Sequence, residues 1–463
     1  MDPLVKLINA SFSSGIFPSA LKTAKITPIF KGGDNTFPTN YRPISSLPFL
    51  SKIIERALYD RIMNFADEYS LFTDLQFGFR KGISTVDSLI HLTESVYNSL
   101  DLKKHHLSVL LDLKKAFDTV QHGILLDKLE YYGIRSKALL LIKSYLSNRP
   151  QYIQVNNNVS TQQILNSSVP QGSIVGPLFF LFFINDLVSM STNCEIQLFA
   201  DDAIVSSSNS NYDLLSEDVN SDLQIVSGWM LSNRLTLNTD KCNYIIFSNR
   251  NYRTNDILVN SSLISNVLEC KYLGVYLDRN LNFEYHIINY ILNKTSKLCG
   301  ILYKLRNLFP TETCIRFYYA LIYPYLSYCI LIWGNTYQSH LNPLFKLQKR
   351  VVRTIAKVSR TEHTTPLFLR FNLLKLEDIY KYSIAVYMFK NRNYFSSNGH
   401  LHNTRNRNQL VPVYHRLTQT QKAISFMGPK IWNQIPIETR EIESLKLFKK
   451  CVKNLYLENN LLN

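Results

Sequence analysis

The amino-acid sequence predicts an α+β fold, because short apolar runs of strand length occur among long segments with the hydrophobic spacing of helices. Residues 107–113 (LSVLLDL) form an almost continuous apolar run that fits a buried strand. Residues 47–71 and 85–100 fit amphipathic helices. The 463-residue chain is 46% hydrophobic and 19% charged, so it can bury a large core, and its length allows several domains.

Two adjacent carboxylates, Asp201 and Asp202, stand between apolar runs at 196–199 and 203–205. Both runs fit short strands joined by a tight turn, which would hold the acid pair at its tip. A carboxylate that is removed from water is costly unless it is paired, hydrogen-bonded or bound to metal. Such oxygen ligands suit Mg²⁺. Alone, the pair is weak support for a metal site, because Asp-Asp is more often a solvated turn.

The N-terminal part fits a helix, then a short extended run at 26–30, then a loop that contains glycine and proline. Lys31 and Arg42 flank this loop. They could present two cations to a triphosphate, lysine as a point charge and arginine as a bidentate fork. The simpler alternative is a solvated loop with surface cations.

Asp112 lies at the end of the apolar run 107–113, an unusual choice of residue that often marks a functional site. Residues 170–177 (PQGSIVGP) form a turn before an apolar helix at 178–187. Gln171 and Gly172 in this turn could lie close to a nucleotide or template backbone. Other predicted elements are strands at 151–155, 163–169, 244–247 and 272–278 and a helix at 212–231.

The charge is distributed unevenly along the chain. Residues 1–278 contain 24 Lys and Arg against 26 Asp and Glu, whereas residues 279–463 contain 27 against 9. A basic half beside a carboxylate site suits a polyanionic substrate, although a generally lysine-rich chain is the plainer alternative. Within the basic half, one stripe of cations has helical spacing and could contact phosphates or form a solvated face: Lys346, Lys349, Arg350, Arg353, Lys357 and Arg360.

No stretch of the sequence fits a signal peptide or a membrane span. Residues 174–184 are too few, and residues 318–333 include Pro324 and several tyrosines, so both stretches predict buried helices. The seven cysteines are scattered and form no C-x-x-C pair. Their pattern favours a reducing compartment, without a disulfide framework or a zinc knuckle.

An ordered series of eight segments resembles the reverse transcriptases of non-LTR (LINE-type) retrotransposons, and within them the jockey/CR1-like branch. The segments are ITPIFKGGD, NYRPIS, QFGFRKG, LLDLKKAFDTV, VPQGSIVGPLFF, FADDAIV, LNTDKC and KYLGVYLD. Each segment alone is unspecific, but the whole series in the correct order is specific. The later GPKIWN segment also resembles the tail of these elements, so the resemblance covers nearly the whole chain.

This resemblance implies a right-hand polymerase of the α+β class. Fingers and an antiparallel palm sheet would occupy residues 1–278, a mainly helical, basic thumb residues 279–370, and a C-terminal helical extension residues 371–463. Residues 272–278 resemble the primer grip, and Lys346, Lys349, Arg350, Arg353 and Lys357 would follow the nucleic-acid backbone.

The resemblance also implies roles in catalysis. Asp112 and Asp201 would hold two Mg²⁺ ions, which Mn²⁺ could replace, with help from the backbone carbonyl of Leu113. Asp202 would be a less direct ligand. Two such ions stabilise the attacking 3′-oxygen and the leaving pyrophosphate. Lys241 resembles the lysine that protonates pyrophosphate, and a surface lysine is the alternative.

Other residues would bind the nucleotide. Phe117 resembles the aromatic steric gate that excludes a 2′-hydroxyl, and a core aromatic is the alternative. Gln171 and Gly172 would contact the incoming nucleotide and the template. Lys31 and Arg42 would grip the triphosphate.

The partners implied are an RNA template, a DNA primer or target and dNTPs, with neither a membrane nor zinc. The place of action implied is intracellular, and nuclear at the time of reverse transcription. Full-length elements carry an endonuclease before the polymerase. Neither that segment nor an RNase H-like acid cluster is visible, so we expect a partial reading frame whose primer end comes from elsewhere.

The predicted function is therefore an RNA-directed DNA polymerase of a retrotransposon. A group II intron maturase-like reverse transcriptase shares the core motifs, but the GPKIWN tail argues against it. The third possibility is a catalytically silent nucleic-acid-binding relic. That possibility predicts broken motifs, whereas the sequence retains Asp112, Asp201, Asp202, Gln171 and Lys241.

Overall fold

The computed structural model describes residues 2–165, 167–395 and 409–459, and it confirms the predicted mixture of helices and strands. The strands are β1 (Ala24–Phe30), β2 (Tyr41–Ser46), β3 (His105–Leu111), β4 (Arg149–Val155), β5 (Asn158–Val159), β6 (Gln163–Leu165), β7 (Glu195–Phe199), β8 (Asp202–Asn209), β9 (Asn243–Phe247), β10 (Leu258–Val259), β11 (Ser262–Leu263), β12 (Ser265–Asn266), β13 (Glu269–Tyr272) and β14 (Val275–Asp278).

The helices are α1 (Asp2–Ser14), α2 (Phe49–Glu68), α3 (Thr85–Asp101), α4 (His122–Tyr131), α5 (Ser136–Leu146), α6 (Gly176–Ile184), α7 (Tyr212–Ser232), α8 (Asn293–Leu305), α9 (Thr311–Phe317), α10 (Tyr323–Ser327), α11 (Ile330–Trp333), α12 (Gln338–Ala356), α13 (Thr365–Arg370), α14 (Leu376–Asn391), α15 (Ile424–Asn433), α16 (Ile437–Arg440) and α17 (Leu445–Asn459). In the part of the chain that the structure describes, none of these helices combines the length and the apolar character that crossing a membrane requires.

A five-stranded central sheet has the strand order β12-β9-β3-β8-β7. β3 pairs antiparallel with both β8 and β9, so the predicted strand at 107–113 lies in the middle of the sheet. Successive side chains of a strand point to opposite faces. Ile245 and Phe247 accordingly join one hydrophobic cluster, while Tyr244 and Ile246 join another. The sheet therefore separates two cores.

Helices cover both faces of the central sheet. On one face lies α6, whose residues from Leu178 to Ile184 are all buried, which confirms the buried helix predicted at 174–184. On the other face lies α3, whose buried residues share a core with those of the helical region from α8 onward. The predicted helices at 47–71, 85–100 and 212–231 correspond to α2, α3 and α7.

A second sheet has the order β2-β1-β4-β5, with β6 paired to β4. β1 and β2 form an antiparallel hairpin in which Ile29 faces Arg42, and β1 runs parallel to β4. β6 ends at Leu165, so the strand predicted over 163–169 is too long. Residue 166 lies outside the described residues, and Ser167 forms a bridge with Gln121, next to α4.

The single strand predicted at 272–278 is wrong, because the segment is the second half of a hairpin formed by β13 and β14. Tyr272 pairs with Val275, and the turn residues Leu273 and Gly274 have φ angles of 44° and 84°. Positive φ at both central residues is the requirement of a tight type I′ hairpin turn. Apolar residues continue through this turn, so hydrophobic pattern alone could not reveal it.

The buried helix predicted at 318–333 is helical for most of its length but is interrupted. This stretch contains a π-helical turn (Tyr318–Ile322), then α10 and α11, which are separated where Cys329 adopts a φ of 50°. Pro324 lies at the start of α10 and cannot donate a helical hydrogen bond. Burial of the stretch is confirmed, since Tyr318, Ile322 and Trp333 are almost completely buried.

One hydrophobic cluster includes residues of α3, of α8 to α14, of α15 and of α17. Polar contacts reinforce this connection. Asp101 at the end of α3 accepts hydrogen bonds from the backbone N–H groups of Arg416 and Leu417 and from the Thr420 hydroxyl. The described C-terminal residues are therefore packed onto the element that covers the central sheet.

Candidate active site

The aspartate turn (residues 199–202) joins β7 to β8. Phe199 pairs with Asp202 across the turn, which leaves Ala200 and Asp201 at its tip. The predicted turn is confirmed, but only Asp201 of the predicted acid pair lies at the tip, because Asp202 is already the first residue of β8. Ala200 has a φ of 56°, a left-handed conformation that is uncommon for a residue with a side chain. In the neighbouring strand, Leu111 pairs with Ala203. Asp112, the next residue after Leu111, is thereby brought beside the acid pair.

The lysine loop (residues 236–242) fixes the position of Asp112. The backbone N–H of Asn238 donates to the Asp112 carbonyl over 2.8 Å, and Asn238 Nδ2 donates to Asp112 Oδ2 over 3.0 Å. Lys241 Nζ lies 3.7 Å from the same carboxylate oxygen. Leu113 forms a bridge with Leu237. The predicted residues Asp112, Leu113 and Lys241 thus lie together, and Asn238 is a contact that sequence reasoning missed.

The carboxyl groups near the turn repel one another. Partial burial, with the nearby charge of Asp112 also acting in that direction, raises the pKa of Asp201, and Arg42 opposes the shift. The Asp202 side chain still reaches solvent. Even so, the surrounding protein, and then the charges of Asp201 and Asp112, raise its pKa to about 6. A cation at this point would relieve the repulsion.

Among the described residues, no three His, Cys, Asp or Glu side chains are grouped closely enough to form a metal cage. The predicted ligand set contains only two carboxylates and a backbone oxygen. Such a small set is compatible with Mg²⁺, which usually keeps several waters and takes one or two protein carboxylates together with substrate phosphates.

Phe117 lies in a 3₁₀ turn, Ala116–Asp118, that follows β3. Its ring stacks on Phe180 of α6 with a centroid separation of 4.5 Å, and it meets the edge of the Phe79 ring at 6.3 Å. The side chain is half-buried. Its position is therefore fixed by contacts on two sides while part of the ring remains accessible.

Gln171 and Gly172 pack against β2. The Gln171 carbonyl accepts a hydrogen bond from the Ser45 N–H over 2.7 Å, and Gln171 Nε2 donates to Asp118 Oδ1 over 2.7 Å. Gly172 has a φ of 111°, and a Cβ there would lie 2.7 Å from the Ser45 carbonyl oxygen, so the close approach requires glycine. The turn is thus tied to both β2 and the segment that carries Phe117.

Lys31 and Arg42 lie at neighbouring positions of the β1–β2 hairpin, where the Lys31 N–H donates to the Asn40 carbonyl. Both side chains are exposed. Arg42 is close enough for its charge to act on Asp201. The hairpin therefore directs at least one of the two predicted cations toward the aspartate turn.

Glu55 of α2 is fully buried, and sequence reasoning missed it. Its carboxylate accepts hydrogen bonds from the Ile174 N–H, the Ser51 hydroxyl and the Tyr145 hydroxyl. Burial raises the pKa of Glu55 despite these hydrogen bonds. An acid on the apolar face of a predicted helix, next to Ile54, was the available signal. Glu55 anchors the turn that contains Gln171 to α2.

Residues 29–277 match a family model described as reverse transcriptase (RNA-dependent DNA polymerase). The match covers more than half of the chain and includes the aspartate turn and the lysine loop. This chain belongs to the reverse transcriptase family. The resemblance inferred from the ordered motifs is thereby confirmed.

Curated relatives of this reverse transcriptase come from mobile elements. The RNA-directed DNA polymerase from mobile element jockey of Drosophila melanogaster is 29% identical over 363 residues, which cover 76% of this chain and 40% of the relative. The probable RNA-directed DNA polymerase from transposon BS of the same species is 29% identical over 398 residues, or 81% of this chain and 43% of the relative. The chain therefore spans about two fifths of the length of these relatives.

Among solved structures, telomerase from Candida albicans in complex with a fragment of telomeric RNA matches this reverse transcriptase with a TM-score of 0.45 and 14% identity. The match covers 95% of this chain and 68% of that chain. Apo telomerase from Candida tropicalis matches with a TM-score of 0.40 and 11% identity, over 86% of this chain and 72% of that chain.

The predicted basic stripe of this reverse transcriptase lies only partly on one helix. α12 ends at Ala356, and Lys357 adopts a left-handed conformation with a φ of 59°, so the prediction of helical spacing up to Arg360 is wrong. The chain turns at Lys357 because its N–H caps the helix by donating to the Thr354 carbonyl.

The cations of the stripe differ in what they contact. Lys346 and Arg350 are exposed. Lys349 Nζ lies 4.4 Å from the centre of the Phe345 ring, and Arg353 Nε donates to the Glu362 carbonyl. Lys357 Nζ donates to the Phe309 carbonyl. The predicted stripe therefore contains exposed cations as well as cations that already contact the protein.

Proposed function

We propose that this chain is an RNA-directed DNA polymerase of a retrotransposon, which adds dNTPs to the 3′-hydroxyl of a primer. The observation that carries the proposal is the convergence of Asp112 and Asp201 at the tip of the central sheet, inside the region that matches the family. Two relatives named as RNA-directed DNA polymerases support the choice of reaction.

The residues fit a divalent cation. Burial, and then the charges of the neighbouring carboxylates, raise the pKa of Asp201 and Asp202, and a cation beside them would favour their charged forms. Asp112 and Asp201 would hold the ions, with the Leu113 carbonyl assisting and Asp202 acting less directly. When bound, Mg²⁺ or Mn²⁺ would stabilise the charge on the attacking and leaving oxygens.

The remaining residues would orient the substrate. Lys31 and Arg42 would neutralise the triphosphate, and Gln171 and Gly172 would line the nucleotide site. Phe117 would lie under the sugar and exclude a 2′-hydroxyl, because its ring is held between Phe180 and Phe79.

Lys241 would keep a proton near the leaving pyrophosphate and act as a general acid. Its position supports this role, since Nζ lies 3.7 Å from Asp112 Oδ2 and the side chain is largely exposed. A substrate phosphate could therefore approach the ammonium group without displacing a buried contact.

We assign residues 1–278 to fingers and palm, residues 279–370 to a thumb and residues 371–463 to a C-terminal extension. The second sheet with its β1–β2 hairpin would belong to the fingers, and the central sheet would be the palm. The β13–β14 hairpin would act as the primer grip. The exposed cations of α12, with Lys349, Arg353 and Lys357 beside them, would contact RNA template and DNA primer through phosphates.

The test is primer extension on a homopolymer RNA template with Mg²⁺, comparing the natural sequence with Asp201→Asn at equal folded concentration. We expect incorporation by the natural chain and a loss of several orders of magnitude in the variant. Equal incorporation by both proteins would disprove the assignment of Asp201. No incorporation by either protein, together with intact nucleic-acid binding, would support a silent relic instead.

A further inference from the structure

The side chain of Gln76 lies directly behind the aspartate turn. Gln76 is fully buried and forms a parallel bridge with Leu198 of β7. On either side, the Leu198 N–H donates to the Leu75 carbonyl and the Phe77 N–H donates to the Leu198 carbonyl, each over 2.8 Å. Two backbone hydrogen bonds thus hold the segment that contains Gln76 against β7, the strand that leads into the turn.

Gln76 also holds the turn itself. Gln76 Oε1 accepts hydrogen bonds from the Ala200 N–H over 3.0 Å and from the Gly78 N–H over 2.8 Å. Ala200 has a φ of 56°, a strained conformation for a non-glycine residue that persists only where the surroundings impose it. The oxygen of Gln76 supplies part of that constraint, one residue before Asp201.

Gly78 shows how closely this segment approaches the turn. A Cβ on Gly78 would lie 2.4 Å from the Ala200 nitrogen and 3.0 Å from the Phe199 carbonyl carbon. Any side chain at position 78 would therefore push the turn away from its present position. The segment 76–78 and the turn 199–202 form one tightly fitted unit.

The other end of the Gln76 amide is unpaired: Nε2 is buried and has no hydrogen-bond partner among the described residues. A buried donor without a hydrogen-bond partner destabilises the folded chain, and a methionine of similar shape would avoid that cost. The amide orientation is fixed, because both groups that meet Oε1 are N–H donors. A side chain that only fills space at position 76 would not need Oε1. A side chain that must accept two hydrogen bonds needs it.

We propose that Gln76 is a positioning residue that holds Asp201 in place and thereby sets the affinity of the site for divalent cations. This inference deepens the proposed function and rests on its assignment of Asp201. Removing a residue that orients a metal ligand typically weakens metal affinity or activity by about 10- to 100-fold.

The test compares Gln76→Met and Gly78→Ala with the natural chain. Free Mn²⁺ is measured by electron paramagnetic resonance as the protein is titrated without substrate, and the Mg²⁺ concentration for half-maximal primer extension is measured separately. We expect both variants to weaken Mn²⁺ binding by about tenfold or more and to raise the Mg²⁺ requirement by a similar factor. Gly78→Ala leaves Gln76 unchanged but displaces Ala200, so it tests the same contact from the other side.

Gln348→Met is the matched control. Gln348 is equally buried but donates to the Tyr318 hydroxyl and the Leu374 carbonyl in the helical region. This variant should lower the melting temperature and leave Mn²⁺ binding unchanged. If Gln76→Met also loses only melting temperature, or if Gln76→Met does not fold and Gly78→Ala binds Mn²⁺ normally, the positioning role is disproved.

The outcomes separate this inference from the proposed function. A natural chain that binds Mn²⁺ through Asp201, and loses that binding in Gln76→Met, supports the inference even if RNA-templated extension fails. A natural chain that extends primers normally while Gln76→Met shows an unchanged Mn²⁺ affinity overturns the inference alone.

Discussion

At the aspartate turn, Asp112 of the neighbouring strand lies beside Asp201 and Asp202 at one end of the central sheet, whereas along α12 the cations spread over an exposed face. The protein holds the carboxylates through separate contacts, from Asn238 to Asp112 and from Gln76 to Ala200. On α12, Lys346 and Arg350 have exposed side chains. Lys349 lies over the Phe345 ring, and Arg353 donates a hydrogen bond to the Glu362 carbonyl. One charged region is therefore fixed and the other is adjustable.

The difference follows from what each region would bind. Metal ions require oxygen ligands in a set geometry, and phosphate groups along a nucleic-acid backbone tolerate flexible cations. In the fixed region, burial and then the charges of neighbouring carboxylates raise the pKa of Asp201 and Asp202, so their charged forms are disfavoured. No comparable cost is needed on α12, because exposed cations remain hydrated until they meet a phosphate.

The largest expected effect is on catalysis. Asp112→Asn should lower kcat by on the order of a thousandfold or more, because a metal ligand contributes several kcal/mol to transition-state stabilisation. Arg350→Ala should lower it by less than about tenfold at low salt, since one exposed charge is worth little. Steady-state primer extension at saturating template would check both values. If kcat fell by similar factors in Asp112→Asn and Arg350→Ala, the distinction between the fixed and the adjustable region would be wrong.

The next effect concerns nucleotide selection beside the fixed region. Phe117→Val should relax discrimination against ribonucleotides by about 10- to 100-fold, because the variant lacks the ring that we propose excludes the 2′-hydroxyl. The measurement is the ratio of kcat/KM for dCTP and CTP. Phe72→Leu is the control, since Phe72 is a buried ring of the same core that packs on Phe182. A ratio that is equal in Phe117→Val and the natural chain would reduce Phe117 to a packing residue.

A smaller effect concerns the adjustable region. The sequence predicts similar phosphate contacts for all cations of the stripe. In the structure, some of these cations are exposed and others already contact the protein. The Lys346→Ala/Arg350→Ala pair should flatten the log–log salt dependence of binding by roughly one to two units, at about 0.7–0.9 per phosphate. The Lys349→Ala/Arg353→Ala pair should flatten it less, because these side chains already contact Phe345 and the Glu362 carbonyl.

Binding isotherms at several salt concentrations, on two unrelated sequences, would decide between the pairs. Affinity should fall about equally on both sequences, because phosphate contacts carry no base information. If neither pair changes the slope, the stripe is a solvated face and the duplex must follow another surface.

The smallest expected effect is on stability. The pKa of Asp202 is raised to about 6 in the folded chain, above its ordinary value, so the folded state binds the proton more tightly than the unfolded chain. Stability should therefore fall as pH rises from about 4 to 6. Asp202→Asn should remove that loss and, at pH 7.5 without metal, stabilise the chain by about 1 kcal/mol or less, because solvent screens the charge.

Urea unfolding with and without Mg²⁺ would measure this effect. Mg²⁺ should reduce the advantage of Asp202→Asn, since the cation relieves the same repulsion. Arg350→Ala is the comparison on α12 and should change stability by less than about 0.5 kcal/mol. A destabilised Asp202→Asn would show that Asp202 is not repelled by its neighbours.

Periodicity and local composition were sufficient for the helices α2, α3 and α7, for the central strand β3 and for the acid turn. Each of these elements buries either one face or all of its residues, so its hydrophobic pattern can be recognised from a short stretch of sequence. The same reasoning failed at residues 272–278 and 318–333, where hydrophobic residues continue through a turn or a break. Long-range contacts, such as the Tyr328 hydroxyl donating to the Leu273 carbonyl, fix those bends.

The sequence by itself determined the order of the motifs, the family and the residue types available for chemistry. Only the tertiary structure decided that Asn238 and Gln76, which lie far apart in sequence, meet Asp112 and Ala200 at one end of the central sheet. The physical reason is that strand pairing brings distant segments together, while hydrophobic pattern records only which face of each segment is buried. Hydrogen bonds between buried polar groups leave no periodic trace, so they appear only once the chain is folded.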